Sequence, residues 1–338
     1  MSYKSGEIYF VRETILGTSD VSAFVKIGLV AEGRSSENRL KEHQTGNPRR
    51  LFNQEVILTD SVHRVEAVMH RLFAPYRISG EWFEFKDENL VAEAIAKAKD
   101  LANEMFAVTP QFIKAEELAT VASSDEVKVV TSEINEIVTR WADAKTRLKF
   151  CGDLQTAIKE KLLTAIESGV DTKGAAKATT VNFKPKFSDA ALKADDEGLW
   201  SRYITYVPTW SARFTNSISL LEFEELNPDF KESLNSLKET VAALSSTSDA
   251  YLLNEPQLQL TMLEALAQWD FDLADAELRI SVGEAASIEG VCKWGRKPGS
   301  PKAVFDEERF ALDHEQLWTK YTLTKDSFTK LSVTKSKN

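Results

Sequence analysis

Apolar positions change their period several times along the chain, and each change marks an element. Ile8-Tyr9-Phe10-Val11 is a β-branched and aromatic run closed by the polar turn Gly17-Thr18-Ser19-Asp20, and Phe24 to Val30 is a second such run. A helix is predicted over 34–45, stopped by Gly46 and Asn47-Pro48, and Leu51 to Leu58 reads as a third strand. Over 61–74, Val65, Met69, Leu72 and Phe73 recur at i, i+4, i+7 and i+8, one apolar helical stripe. Gly80-Glu81-Trp82-Phe83-Glu84-Phe85 closes the unit as a short strand. The expected product is a small α+β domain, a three- or four-stranded sheet with two or three helices.

From Glu88 the pattern turns helical. Residues 88–106 are rich in Ala and Glu, without Gly or Pro, and 110–170 continue as one or two helices carrying Ile134, Ile137, Trp141 and Leu148. The stretch reads as an antiparallel helix pair or a coiled-coil stalk, or as helices that pack only on their own domain. An internal repeat follows: FSDAALKADDEGLWSRY at 187–203 and FDEERFALDHEQLWTKY at 305–321 align without a gap at an offset of 118 residues. Trp141 and Trp269 extend the correspondence if the first copy carries an insertion. Each segment follows a basic stretch read as a turn, Lys184-Pro185-Lys186 in one and Lys293 to Lys302 in the other. The expected division is 1–87 for the α+β domain, 88–210 for a first helical module, and 211–338 for a second with a basic tail. The repeated Trp, Tyr and Phe fit a core; the rival reading is DNA contact by the basic turns with aromatic stacking.

Composition narrows the function classes. A chain of 338 residues holds about two domains. No apolar run approaches the ~20 residues that span a bilayer, and the start offers no signal-peptide core. Two cysteines, Cys151 and Cys292, make neither a disulfide framework nor a four-ligand zinc site, so a reducing, cytoplasmic setting is expected. The net charge of −10 is unevenly spread. Residues 1–85 balance 11 cations, eight of them Arg, against 11 anions, whereas 86–292 carry 21 against 35 and 293–338 carry 10 against 6. A broad nucleic-acid surface is therefore improbable over 86–292. Three of the four histidines also fall in the N-terminal part, which is where chemistry is expected.

Within that part, Arg39 and His43 share one helix face, and Glu66 and His70 share another. With Tyr9 nearby, converging faces would supply what phosphodiester cleavage needs. A carboxylate holds a divalent cation, a guanidinium clamps phosphoryl oxygens, and a phenol or imidazole takes a proton from water. Arg49, Arg50, Arg64 and Arg71 are further candidates for DNA contact, and His70, Arg77 and Glu81 are supporting candidates. On spacing alone, each pair reads first as solvated helix surface.

The order Glu7-Ile8-Tyr9, Lys26-Ile27-Gly28, Arg39 through Pro48 (RLKEHQTGNP), Glu66 to His70 and Gly80-Glu81-Trp82-Phe83 resembles the GIY-YIG nuclease superfamily, and within it the T5orf172 branch. The resemblance covers about 5–86. It implies a small sandwich around a three-stranded antiparallel sheet and metal-dependent DNA cleavage with Mg²⁺ or Mn²⁺. It further implies that Tyr9 is the tyrosine of the first motif, Arg39 the phosphate-contacting arginine, His43 its partner one turn later, and Glu66 the metal ligand. The first motif reads Glu-Ile-Tyr, Lys26 stands where the second motif has a tyrosine, and Gly80 and Glu81 occupy the neighbourhood of a late asparagine. The base is then Tyr9, His43 or a water activated by Lys26. The repeated segments resemble the C-terminal extension of YqaJ-type phage exonucleases, which implies a phage or prophage origin. The reading is a DNA endonuclease acting in the cytoplasm. Its alternatives are a DNA-binding protein with the same fold, or a scaffold whose helical repeats bind a protein partner or a second copy.

Overall fold

A computed structural model describes residues 3–244, 247–324 and 326–333. The N-terminal part runs β1 (Gly6–Thr14), β2 (Val21–Ala31), α1 (Ser36–Gln44), β3 (Leu51–Thr59), α2 (Val62–Leu72), β4 (Arg77–Ser79) and β5 (Trp82–Glu84). Its sheet has five antiparallel strands in the order β3-β1-β2-β5-β4, one or two more than the expected four or three. The extra strand comes from 77–79, too short to show a period of two in the sequence.

Side chains alternate across this sheet. Ile8, Phe10, Val25, Ile27, Phe83 and Phe85 face one layer, where Val65, Met69 and Leu72 of α2 cover them. Tyr9, Val11, Val30 and Leu51 face the other, beneath Leu40 of α1 and beside Trp82. The first layer does not end at residue 87. Helix α3 (Glu88–Ala119) contributes Val91, Ala94, Ala98, Leu101 and Met105 to the same core. Buried Arg12 on β1 clamps the helix start through two 2.8 Å hydrogen bonds to Glu88. The expected boundary at 87/88 therefore cuts a single core. Helix α3 also runs through Pro110, past the expected end at 106. Burial of Met105, Phe112 and Ala115 on either side outweighs a proline cost of about 3 kcal/mol.

The rest continues with β6 (Val127–Lys128), α4 (Ser132–Glu167), β7 (Ala176–Val181), β8 (Lys186–Phe187), α5 (Asp189–Asp195), α6 (Glu197–Ser201) and β9 (Ile204–Asn216). Then come α7 (Pro228–Ala243), α8 (Asn254–Val282), β10 (Ser287–Ile288), β11 (Cys292–Phe305), α9 (Glu307–Asp313), α10 (Glu315–Lys320), β12 (Thr322–Leu323) and β13 (Phe328–Val333). Helices α4 and α8 lie antiparallel, tied by Arg140–Glu277 at 2.5 Å and Arg147–Asp270 at 2.8 Å. Helix α8 is also the neighbour of α2 and α3, with Ala265, Trp269 and Ala276 in the sheet core. Among the described residues no helix is long and apolar enough to cross a membrane.

The two similar segments do not form separate modules. They face each other. Phe187 pairs with Thr322 and Phe305 with Ile204, while β7 pairs with β13 and β9 with β11. Tyr203 donates to Asp313 at 2.8 Å, and Tyr321 donates to Asp195. Phe187, Leu192, Trp200, Tyr203, Phe310 and Tyr321 make one shared core, so these aromatics pack inward and are not free to stack on bases. The expected division at 210/211 is corrected accordingly: it falls inside β9, and each side supplies half of one unit. Lys293 to Lys302 is corrected too, being not a turn but the middle of the 14-residue strand β11.

Candidate active site

Tyr9 is 2% exposed and lies across β2 opposite Gly28. A Cβ at Gly28 would stand 2.5 Å from the tyrosine Cζ and hydroxyl, so only glycine lets the ring lie there. The hydroxyl is 3.4 Å from His43 Nε2 on α1. Burial pushes the Tyr9 phenol above its ordinary value, with the Arg39 guanidinium pulling the other way. His43 is held below the ordinary imidazole value by burial, and then by Lys26 and Arg39. At neutral pH this gives a protonated phenol beside a neutral imidazole.

Helix α1 is anchored at both ends by residues the spacing argument did not single out. Glu7 accepts from the Ser36 backbone N–H at 2.8 Å, so the glutamate beside the first-motif tyrosine fixes the helix that carries Arg39 and His43. At the other end, Gln44 donates to the carbonyls of Asn47 (3.0 Å) and Arg49 (2.8 Å) and accepts from the Leu51 N–H at 2.9 Å. Gly46, at φ +82°, lets the chain turn back. The Gln-Thr-Gly-Asn-Pro block is thus a loop clamp; its signal was the Gln beside a turn, which a side chain with both a donor and an acceptor can close.

Arg39 is partly exposed, shares Glu42 with Arg34 through a 2.6 Å contact of its own, and also reaches the Tyr9 hydroxyl. Such a solvent-screened pair is too weak to hold the guanidinium from a phosphate. Strand β5 covers β2 only over Phe24, Val25 and Lys26, and the Ile27 N–H reaches back to the Glu81 carbonyl at 3.0 Å. The Ile27 carbonyl is taken by His70 Nε2 at 2.8 Å. Burial keeps the His70 imidazole below its ordinary value, and the ring packs on Phe83. His70 is a positioning residue on this geometry. It ties α2 to the sheet where Glu66, one turn earlier, stands.

Glu66 differs from every other carboxylate near the site. It is half-buried and has no hydrogen bond or ion pair among the described residues. Burial, and then the charge of Glu81, push its carboxyl up to about 7, against Lys26 and Arg77. Glu81 goes the opposite way: burial raises it, but the Lys26 ammonium overcompensates and leaves it below the ordinary value. Lys26 is therefore ion-paired with Glu81 rather than free, and Arg77 donates to the Gly80 carbonyl. Tyr9, Arg39, His43, Lys26, Glu66, Arg77 and Glu81 form one electrostatic neighbourhood.

The other arginines separate from it. Arg49 pairs with Glu13, and Arg50 is exposed on the clamped loop. Arg64 and Arg71 are corrected: they lie on the α8 side of α2, not on a DNA face. Arg64 is 11% exposed, bonds Asp272 at 2.7 Å and sits over the rings of Phe112 and Trp269. Arg71 pairs with Glu264 at 3.0 Å. Apolar burial against α8 draws that face inward, which helical spacing alone does not reveal.

No group of three or more His, Cys, Asp or Glu gathers as a ready-made cage among the described residues. A lone half-buried carboxylate fits Mg²⁺ or Mn²⁺, which keep several waters and take the rest of their ligands from substrate phosphate. Residues 6–105 match the family model of the T5orf172 domain, a GIY-YIG-like, endonuclease-associated domain. The match extends into α3, in keeping with the helix's place in the sheet core. No curated protein and no solved structure matches the chain.

Proposed function

We propose that the N-terminal domain hydrolyses DNA phosphodiester bonds with Mg²⁺ or Mn²⁺ held by Glu66. The observation that carries this is the unpartnered carboxylate of Glu66, raised to about 7 beside a tyrosine, a neutral histidine and an arginine held only by a partly exposed ion pair and the tyrosine hydroxyl. A bound divalent cation would supply charge neutralisation on the scissile phosphate and its leaving oxygen. Arg39 releases Glu42 and clamps a non-bridging oxygen, a role worth about 3–4 kcal/mol of barrier. Neutral His43 accepts a proton passed through the Tyr9 hydroxyl, or directly from the attacking water, so the phenol need not ionise. Lys26, held by Glu81, supplies positive potential and does not take the proton.

That same ion pair favours a second reading, in which the domain binds DNA without turnover, because the second-motif position offers no free base. Nicking of supercoiled plasmid in Mg²⁺ or Mn²⁺ separates the two. Cleavage abolished by Arg39→Ala and by omission of the cation supports hydrolysis. A gel shift without nicking, weakened by Arg39→Ala, supports binding alone.

A further inference from the structure

Strands β9 and β11 belong to a four-stranded sheet in the order β6-β10-β11-β9 and run on past β10 as a two-stranded ribbon, solvated on both faces over 205–208 and 210–212 on one strand and 300–302 on the other. Neither strand contains Asp or Glu, in a chain of net charge −10. Register decides where the cations go. Lys293, Gly295, Lys297 and Gly299 pair with Thr215, Arg213, Ser211 and Thr209, all on one face. The opposite face carries Cys292, Trp294 and Arg296, which are buried on the helical body. Between Gly299 and Lys302 the register shifts by one residue, and Lys302 pairs with Val207. The extra residue of this bulge returns Lys302 to the face of Lys293; without it the side chain would point the other way. Lys293, Arg213, Lys297 and Lys302 thus form a row along the outer face. All four are exposed, and none of their side chains has an ion pair or hydrogen bond among the described residues.

We propose that this row is a second DNA contact, binding the phosphate backbone of a duplex. The inference rests on the reading that the chain acts on DNA, but uses none of the catalytic residues. From Thr215 to Val207 the row spans about 26 Å at ~3.3 Å per residue, the length of roughly eight base pairs. The ribbon is fixed to the body at the end of α3, where Trp210 donates to the Ala119 carbonyl at 2.7 Å. The other end of α3 is clamped by Arg12 to the domain holding Glu66. At about 1.5 Å per residue the 32-residue helix separates the two contacts by up to about 48 Å. A duplex long enough to reach both is held away from the cleavage point as well as at it.

The test measures affinity of the full chain for a labelled ~30-base-pair duplex across a salt series, because each phosphate contact contributes about 0.9 to the slope. The combined Lys293→Gln, Lys297→Gln, Lys302→Gln and Arg213→Gln variant should lose about two to three orders of magnitude in affinity near physiological salt and about 3.6 in slope. The three Lys→Arg changes should leave both as they are. Single Lys297→Gln and Lys302→Gln variants, each lowering the slope by about one, keep the test valid if the quadruple variant melts early. An unchanged slope in variants that melt like wild type overturns this inference while leaving plasmid nicking, and its loss in Arg39→Ala, to judge the active site. Failure of wild type to bind the duplex even at low salt overturns both.

Discussion

Helix α2 presents two polar faces that look alike in sequence and do opposite things. One carries Glu66 and His70, the other Arg64 and Arg71. Arg64 and Arg71 each find a carboxylate on α8, and Arg64 is also roofed by two aromatic rings. His70 is tied to β2, but Glu66 meets no partner and its carboxyl is raised to about 7. Polar residues at helical spacing become structural when a neighbouring element answers their charge. They become a candidate site when the fold buries one and leaves it unanswered. Changing each face separately tests the contrast.

The largest effect is expected on catalysis. Glu66→Gln keeps the shape and removes the charge, and nicking should fall on the order of 10³-fold or more. Arg39→Ala should cost about 10²–10³-fold, read in the same assay. On the other face, Arg64→Met should leave nicking intact at low temperature. It should destabilise the fold by about 2–3 kcal/mol in denaturant melts, because Asp272 is left half-buried without its cation. Glu66→Gln should move stability the other way. A folded-state carboxyl raised above its ordinary value adds stability only below that value and loses it as pH climbs toward 7. Wild type should therefore lose ground to Glu66→Gln between about pH 4.5 and 7, ending behind by roughly 1–2 kcal/mol at pH 8 after allowance for solvent screening. Melting at pH 4 and pH 8 checks this, and Mg²⁺ at pH 8 should narrow the gap by stabilising wild type alone. The smallest effect belongs to Arg71→Ala, a partly exposed ion pair worth under about 1 kcal/mol.

Much of the N-terminal fold was legible because its strands and helices have strong periods. The α2 stripe of Val65, Met69 and Leu72 is buried as its spacing demands. The candidate residues Tyr9, Arg39, His43 and Glu66 do fall in one neighbourhood. What the sequence hid is what depends on partners far along the chain. The fate of Arg64 is decided by Asp272, 208 residues away. Continuation of the sheet core into α3 is decided by Val91, Ala94, Ala98 and Met105 meeting apolar residues of the strands and α2, with Arg12 pinning Glu88 at the helix start. The pairing of β9 with β11 turns Lys293 to Lys302 from a turn into a strand, because Gly and Pro at 298–301 can be absorbed by a bulge in an exposed ribbon. Local signals give elements; the answering charge across a gap gives their roles.

The most direct test sets wild type, Glu66→Gln and Arg64→Met side by side, measuring plasmid nicking in Mg²⁺ and thermal melting on the same preparations. Glu66→Gln is expected to melt no lower than wild type at pH 8 yet not to nick, while Arg64→Met melts lower and nicks normally where it is folded. Nicking retained by Glu66→Gln, or lost by folded Arg64→Met, would contradict the assignment of the two faces.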